Sequence, residues 1–295
     1  MAAFVANLPP FSLHNAERPA SPLMLSVPHA GRDYPGPLLD ALRVPAGTLL
    51  RLEDRYADRL VQPAIAAGQA AIIAHRARAW ADLNRAEADF DRTMFSGAGI
   101  PSSTPGTKTR GGLGLIPRRL HGVGELWRTG FDADDYRERI QGFHRPYHQA
   151  IRSTLASIHA TYGAAILLDI HSMPPLGQSA GQQFSPDTAP QFVVGDRFGR
   201  TAGSLYTDSA VTFLRDMGYR VALNAPYPGD YLLETHGRPA ANIHALQLEI
   251  DRSLYLDAAW QEPTEQMDSI ARLVLSLVQL LAALVQGQGY AEAAE

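Results

Sequence analysis

Two histidines stand where short apolar runs give way to polar residues. LMLSVPHAG (residues 23–31) carries an apolar strand into Pro28, His29 and Gly31. ILLDIHSMPP (residues 166–175) carries another into Asp169, Ile170, His171 and Ser172. Successive strand side chains alternate, so Asp169 and His171 share one face and Ile170 takes the other. A lone histidine at a strand end is usually a packed core residue. Two in matching contexts, one with a carboxylate two positions earlier, point to a metal centre in which the Asp orients the ring or adds a ligand. A catalytic zinc site takes three protein ligands and keeps one position open. The chain has no cysteine, so any metal must use His, Asp or Glu, and the third ligand is expected to be a carboxylate. LEDRYADRL (residues 52–60) offers Glu53 and Asp54, read as the first turn of a helix. Acids there also simply complement a helix N-terminus, and both readings are open.

Two further segments complete the set. In ADLNRAEADFDR (residues 81–92), Asn84 and Arg85 follow Asp82-Leu83, with Arg76 and Arg78 upstream. A guanidinium grips a carboxylate with two parallel hydrogen bonds, and an Asn amide adds a donor. The competing reading is a surface arginine among Glu87, Asp89 and Asp91. In HALQLEIDRSLY (residues 244–255), Glu249 lies inside a strand-like run, on the face of Gln247 and Asp251. A carboxylate there is costly unless paired or functional. It is either a general base near a metal-activated water or the acid of a salt bridge with Arg252 or Arg238. Two patterns are decoys. Gly177–Gly181 matches G-x-S-x-G around Ser179, but it lacks the flanking strand and helix of a nucleophile elbow. His144 and His148 have zincin spacing, but Arg145 replaces the zincin glutamate and Pro146 falls between them. A structural role fits that pair better.

Apolar runs of strand length fall at 23–28, 70–74, 165–170, 192–194, 219–223 and 245–250. Amphipathic helical segments fall at 48–67, 132–161, 200–217 and 262–286. Alternating strands and helices predict an α/β fold with a mainly parallel sheet, whose ligands gather beyond the carboxyl ends of the strands. Residues 96–124 are rich in Gly, Pro, Ser and Thr and read as a lid or a disordered insertion. The first 20 residues read as a loose arm. With no linker of distinct composition, 1–295 is expected to form a single domain.

The 295 residues hold 26 Lys and Arg against 30 Asp and Glu, a net charge of −4. That balance argues against a nucleic-acid partner. MAAFVANLPPF lacks the basic start and apolar core of a signal peptide. Leu273–Val285 is too short for a membrane span and reads as a buried helix or subunit contact. The expectation is a cytoplasmic protein without membrane partners, a monomer or a small homo-oligomer.

In order, SVPHAGRDYP, DLNR, LIPRR, PYH, LLDIHSMP, VVGDRFG and HALQLEIDRSLY resemble the N-formylglutamate amidohydrolase family over roughly residues 22–257. That family belongs to the wider group of zinc carboxypeptidases and of succinylglutamate desuccinylase and aspartoacylase enzymes. The resemblance implies a three-layer αβα sandwich with a mixed, mainly parallel sheet. It also implies one zinc or other divalent ion, and hydrolysis of N-formyl-L-glutamate to formate and glutamate in histidine degradation. His29 and His171 match the family's metal ligands. Asn84 and Arg85, with Arg78 nearby, match its carboxylate grip, and Glu249 matches its general base. The wider group places its acidic ligand three residues after the first histidine. Arg32 stands there in this chain, so Asp54 is the expected carboxylate, with Glu53 next and Asp33 weaker. The alternatives are a metal-dependent deacylase or carboxypeptidase for another N-acyl amino acid, and a non-catalytic binding protein of the same fold.

Overall fold

The computed structural model describes residues 9–177, 184, 185 and 187–292. Its strands are β1 (Phe11–His14), β2 (Leu23–Val27), β3 (Ala70–Ala74), β4 (Arg119–Leu120), β5 (Gly124–Glu125), β6 (Ala165–Met173), β7 (Phe192–Gly195), β8 (Val221–Leu223) and β9 (Ile243–Asp251). The α-helices are α1 (Gly36–Asp40), α2 (Ala57–Leu60), α3 (Gln62–Ala66), α4 (Thr107–Arg110), α5 (Ala133–Arg139), α6 (Arg145–Tyr162), α7 (Ser204–Asp216), α8 (Tyr231–His236) and α9 (Met267–Glu292).

A seven-stranded sheet runs in the order β1-β3-β2-β6-β9-β7-β8, and β4 and β5 form a separate hairpin. β2 and β9 flank β6 in parallel. β7 lies antiparallel to β9 and parallel to β8. The fold is therefore α/β with a mixed, mainly parallel sheet, as the alternating pattern predicts. All nine residues of β6 are buried, and all of β9 after Ile243. A strand covered on both faces needs a near-continuous apolar run, which is why these two were legible. Among the polar residues inside them, Asp169, His171, Gln247 and Glu249 are the ones that need a chemical reason here.

The chain forms two compact units. One holds residues up to Ser12, Pro28–Glu53 and Ile73–Ala150. Its core is aromatic: Phe90, Phe95 and Tyr136 meet with ring centroids 5.2–5.8 Å apart, and Trp127 packs on Phe131 at 5.5 Å. The other holds Leu13–Val27, Asp54–Ile72 and Ile151–Glu295, including β6 and β9. There α9 buries Ile270, Val274, Leu277, Leu281 and Val285 and packs on α2, α3, α7, β2 and β6. Met267–Gly287 has the length and composition of a membrane span, but half of that window is buried inside the protein, so it reads as a core helix.

Four expectations are corrected. The helix expected at 48–67 is a 3-10 helix (Ala46–Leu52) followed by the short α2 and α3. Glu53 is extended, Tyr56 takes a left-handed conformation (φ 59°), and Pro63 starts a new helix. Glu53 and Asp54 thus occupy a break between helices rather than a first turn. The expected arm contains β1, and the Asn15 side chain donates to the Ile65 and Gln69 carbonyls. Residues 96–124 are not an unstructured insertion: they contain α4 and the β4–β5 hairpin, with Leu115 and Ile116 fully buried. The helix expected at 132–161 divides into α5, a π-helical turn at Ile140–His144, and α6. Pro146 has no N–H to close an α-turn onto Gly142, and the wider turn absorbs that missing bond.

Candidate active site

Parallel pairing sets the centre. β6 and β9 register His171 beside Glu249 and Asp169 beside Gln247. Side chains at paired positions of neighbouring strands project to the same side of a sheet, so His171 and Glu249 share a face. Asp169 Oδ2 lies 2.7 Å from His171 Nε2, the orienting contact that strand alternation predicts. The other nitrogen, Nδ1, lies 3.0 Å from Asp54 Oδ2. Arg252, directly after β9, donates from Nη2 to Asp54 Oδ1 (3.0 Å) and from Nε to Ser172 Oγ (3.0 Å). The partner of Arg252 is thus Asp54, not the Glu249 carboxylate considered from sequence. Glu249 Oε1 accepts a hydrogen bond from the Gln247 side chain at 2.9 Å, two residues back on the same strand face. Burial by itself would lower the His171 pKa. The Asp169 carboxylate, the bond to Asp54 and the charge of Glu249 outweigh it and hold the pKa well above the ordinary imidazole value.

His29 follows β2 by two residues, at the carboxyl end of the strand beside β6. Its Nε2 lies 2.7 Å from Asp82 Oδ1. Asp82, which sequence reasoning passed over, is fully buried and organises the surrounding loop. Its Oδ1 also accepts the Asn84 backbone N–H (2.8 Å), and its Oδ2 accepts from Arg78 Nε and Nη2 (2.8 Å each). Burial opposes the charge of Asp82. Arg78, His29 and Arg85 overcome it, so its pKa sits well below the usual carboxylate range. Arg78 therefore braces a carboxylate of the protein itself. Asn84 and Arg85 are both buried. Arg85 donates from Nε to the Leu113 carbonyl (3.0 Å) and from Nη1 to the Asn84 carbonyl (2.5 Å), so segment 96–124 serves as its scaffold.

Among the described residues, His29, Asp54 and His171 each offer one ligand atom, and these lie within 4.8 Å of one another. All three are buried. The donors fit a divalent metal: two imidazole nitrogens and a carboxylate oxygen, with a second carboxylate on the opposite nitrogen of each ring. Glu53 instead accepts a hydrogen bond from the Tyr34 hydroxyl, and Asp33 pairs with Arg76 at 2.8 Å. His144 and His148 are each bonded to a backbone carbonyl. His236 is buried at the end of α8. Ser179 lies outside the described residues.

This arrangement, buried imidazoles and carboxylates around the carboxyl ends of parallel strands in an α/β fold, is that of a hydrolase of amide bonds. The chain belongs to the N-formylglutamate amidohydrolase family, whose family model matches residues 21–256. It is 28% identical to an N-formylglutamate deformylase of Pseudomonas aeruginosa over 239 residues, covering 80% of this chain and 82% of that one. It is 27% identical to another of Pseudomonas putida over 268 residues, covering 90% and 92%. The crystal structure of an N-formylglutamate amidohydrolase from Ralstonia eutropha JMP134 superposes with a TM-score of 0.86 at 31% identity, covering 95% of this chain and all of that one.

Proposed function

We propose that this chain hydrolyses N-formyl-L-glutamate to formate and L-glutamate, with one divalent ion, zinc, held by His29, Asp54 and His171. The observation that carries the reading is the meeting of three ligand atoms from these residues in a chain of this family. Asp82 and Asp169 occupy Nε2 of the two rings, which makes Nδ1 the ligating nitrogen of each. Arg252 holds Asp54 Oδ1 and turns Oδ2 toward His171. When bound, zinc supplies Lewis acidity that polarises a carbonyl and lowers the pKa of water.

The rest falls to the chain. Glu249, beside His171 in the register, takes a proton from the attacking water as its oxygen bonds to the formyl carbon. It then delivers that proton to the departing amine nitrogen as the C–N bond breaks. Asn84 and Arg85 hold a substrate carboxylate and fix the amide for attack. Arg78 acts through Asp82. The reading places the enzyme in histidine degradation in the cytoplasm.

The test is formate release from N-formyl-L-glutamate beside N-acetyl- and N-succinyl-glutamate, before and after chelation, with Glu249→Gln in parallel. Formate release is expected to dominate and to vanish with the metal. The variant is expected to lose about 10²–10⁴-fold in kcat while metal content is unchanged. Preference for a longer acyl group would keep the chemistry and remove the substrate assignment. A Glu249→Gln enzyme with most of its activity would remove the base.

A further inference from the structure

His144 and His148 sit one helical turn apart, one in the π-turn and one in α6, with ring centroids 4.5 Å apart and both rings buried. His148 Nε2 lies 2.9 Å from the Leu83 carbonyl oxygen, and His144 Nε2 lies 2.8 Å from the Arg85 carbonyl oxygen. A carbonyl only accepts, so both rings donate from Nε2. The two carbonyls bracket Asn84. The Leu83–Asn84 peptide group is held at both ends, its C=O by His148 and its N–H by Asp82 Oδ1 at 2.8 Å. The Arg85 N–H also returns to the Asp82 carbonyl, at 3.2 Å. A loop normally takes its conformation from local turn chemistry. This one is pinned from outside by two imidazoles on a neighbouring helix.

We infer that His144 and His148 are positioning residues that fix the backbone on both sides of Asn84 and so aim Asn84 and Arg85 at the substrate carboxylate. This rests on the reading that Asn84 and Arg85 bind that carboxylate. Burial pushes the His144 pKa down, which keeps its ring neutral at pH 7. Its Nδ1 faces Glu87 at 3.8 Å, and that carboxylate is already engaged by Arg145 at 2.7 Å. The π-turn is the device that makes this possible, because it lets a proline-bearing segment present two histidines to one loop.

The experiment is steady-state kinetics on N-formyl-L-glutamate with metal content measured for every variant. His148→Met removes the donor at similar volume. KM is expected to rise about tenfold or more, since small displacements of positioning groups are costly, with kcat and bound metal little changed. His148→Gln keeps an N–H near the Nε2 position and is expected to restore KM to within about threefold of the parent. An unchanged KM in His148→Met, or a Gln variant as impaired as the Met variant, overturns the inference. Arg85→Lys separates the two readings. If it leaves KM unchanged, the carboxylate clamp itself fails. If it raises KM while His148→Met does not, only the positioning role fails. Should the Met variant not fold, ¹⁵N NMR of the parent enzyme at pH 7 decides: two neutral Nε2–H rings are expected, and Nδ1–H or protonated rings at these positions overturn the assignment.

Discussion

At the scale of single residues, the site is a set of acids that hold bases in place. Asp82 accepts from His29 on one oxygen and from Arg78 on the other, with no water-facing surface of its own. Replacing it by Asn keeps the shape but removes the charge that fixes the His29 ring and satisfies Arg78. Carboxylates behind metal-bound imidazoles are typically worth a factor of about 10–100 in metal affinity. Asp82→Asn is therefore expected to weaken metal binding by about that factor in a chelator competition titration, and an affinity within twofold of the parent would show that Asp82 serves folding only. The Asp169–His171 contact was legible in the sequence because strand alternation is a local rule, and the place of His29 because it follows the end of an apolar strand. Asp82 and Arg252 were not: their partners, His29 and Asp54, lie 53 and 198 positions away in the chain. Local periodicity carries no information about such pairs. The sign that was present, an arginine directly after a buried acidic strand in LEIDR, gives a donor without saying which acid receives it.

At the scale of elements, backbone proximity does what side-chain pairing does in the site. A Cβ built on Gly31 would lie 2.0 Å from the Arg76 carbonyl oxygen. The segments meeting there are tied by Asp33 N–H to the His75 carbonyl (2.9 Å), by Ala77 N–H to the Asp33 carbonyl (3.0 Å) and by the Arg76–Asp33 ion pair. Neither backbone can retreat without breaking these. Gly31→Ala is expected to cost about 1–3 kcal/mol, as overpacking does, measured by urea denaturation. It should also weaken metal binding, because His29 lies two residues upstream. A variant with parental stability would mean that the backbones separate easily. The group that crowds this glycine is the chain's own backbone. Five of the six readable strands are largely buried and carry near-continuous apolar runs, while β8 is only partly buried. The helix expected at 48–67 was misread because its apolar spacing fits a helix while Tyr56 and Pro63 break the backbone, and those breaks put Asp54 in reach of His171.

At the scale of the whole molecule, buried histidines outside the proposed metal site set how the fold responds to acid. Burial, with Arg152 and Arg238 nearby, lowers the pKa of His236 to about 3. Burial also lowers His144 and His244, and His244 Nδ1 accepts the Gly203 N–H at 3.2 Å, a bond that a protonated ring loses. In the unfolded chain each titrates near about 6.5. As pH falls through that value the unfolded state gains protons that the folded state refuses. Stability is therefore complete above about 6.5 and declines below it, by at most about 1.4 kcal/mol per pH unit for each histidine. His171 works the other way in the metal-free chain: its raised folded pKa keeps it protonated in the folded state while the unfolded state gains its proton through about 6.5, so it adds some stability between about pH 7 and 6 and little below. Asp251, whose pKa burial raises, takes up its proton at a higher pH in the folded chain than in the unfolded one, so it acts above about 4 and adds stability as pH falls toward that value. Between pH 7 and 5, His236 alone accounts for a loss of about 2 kcal/mol. Urea denaturation of the metal-free protein should show a net fall over this range, and His236→Gln should flatten it by about that amount. A pH-independent unfolding free energy over this range would mean that these rings are open to protons in the folded state, and the packing around α8 and the loop held by His144 would need another account.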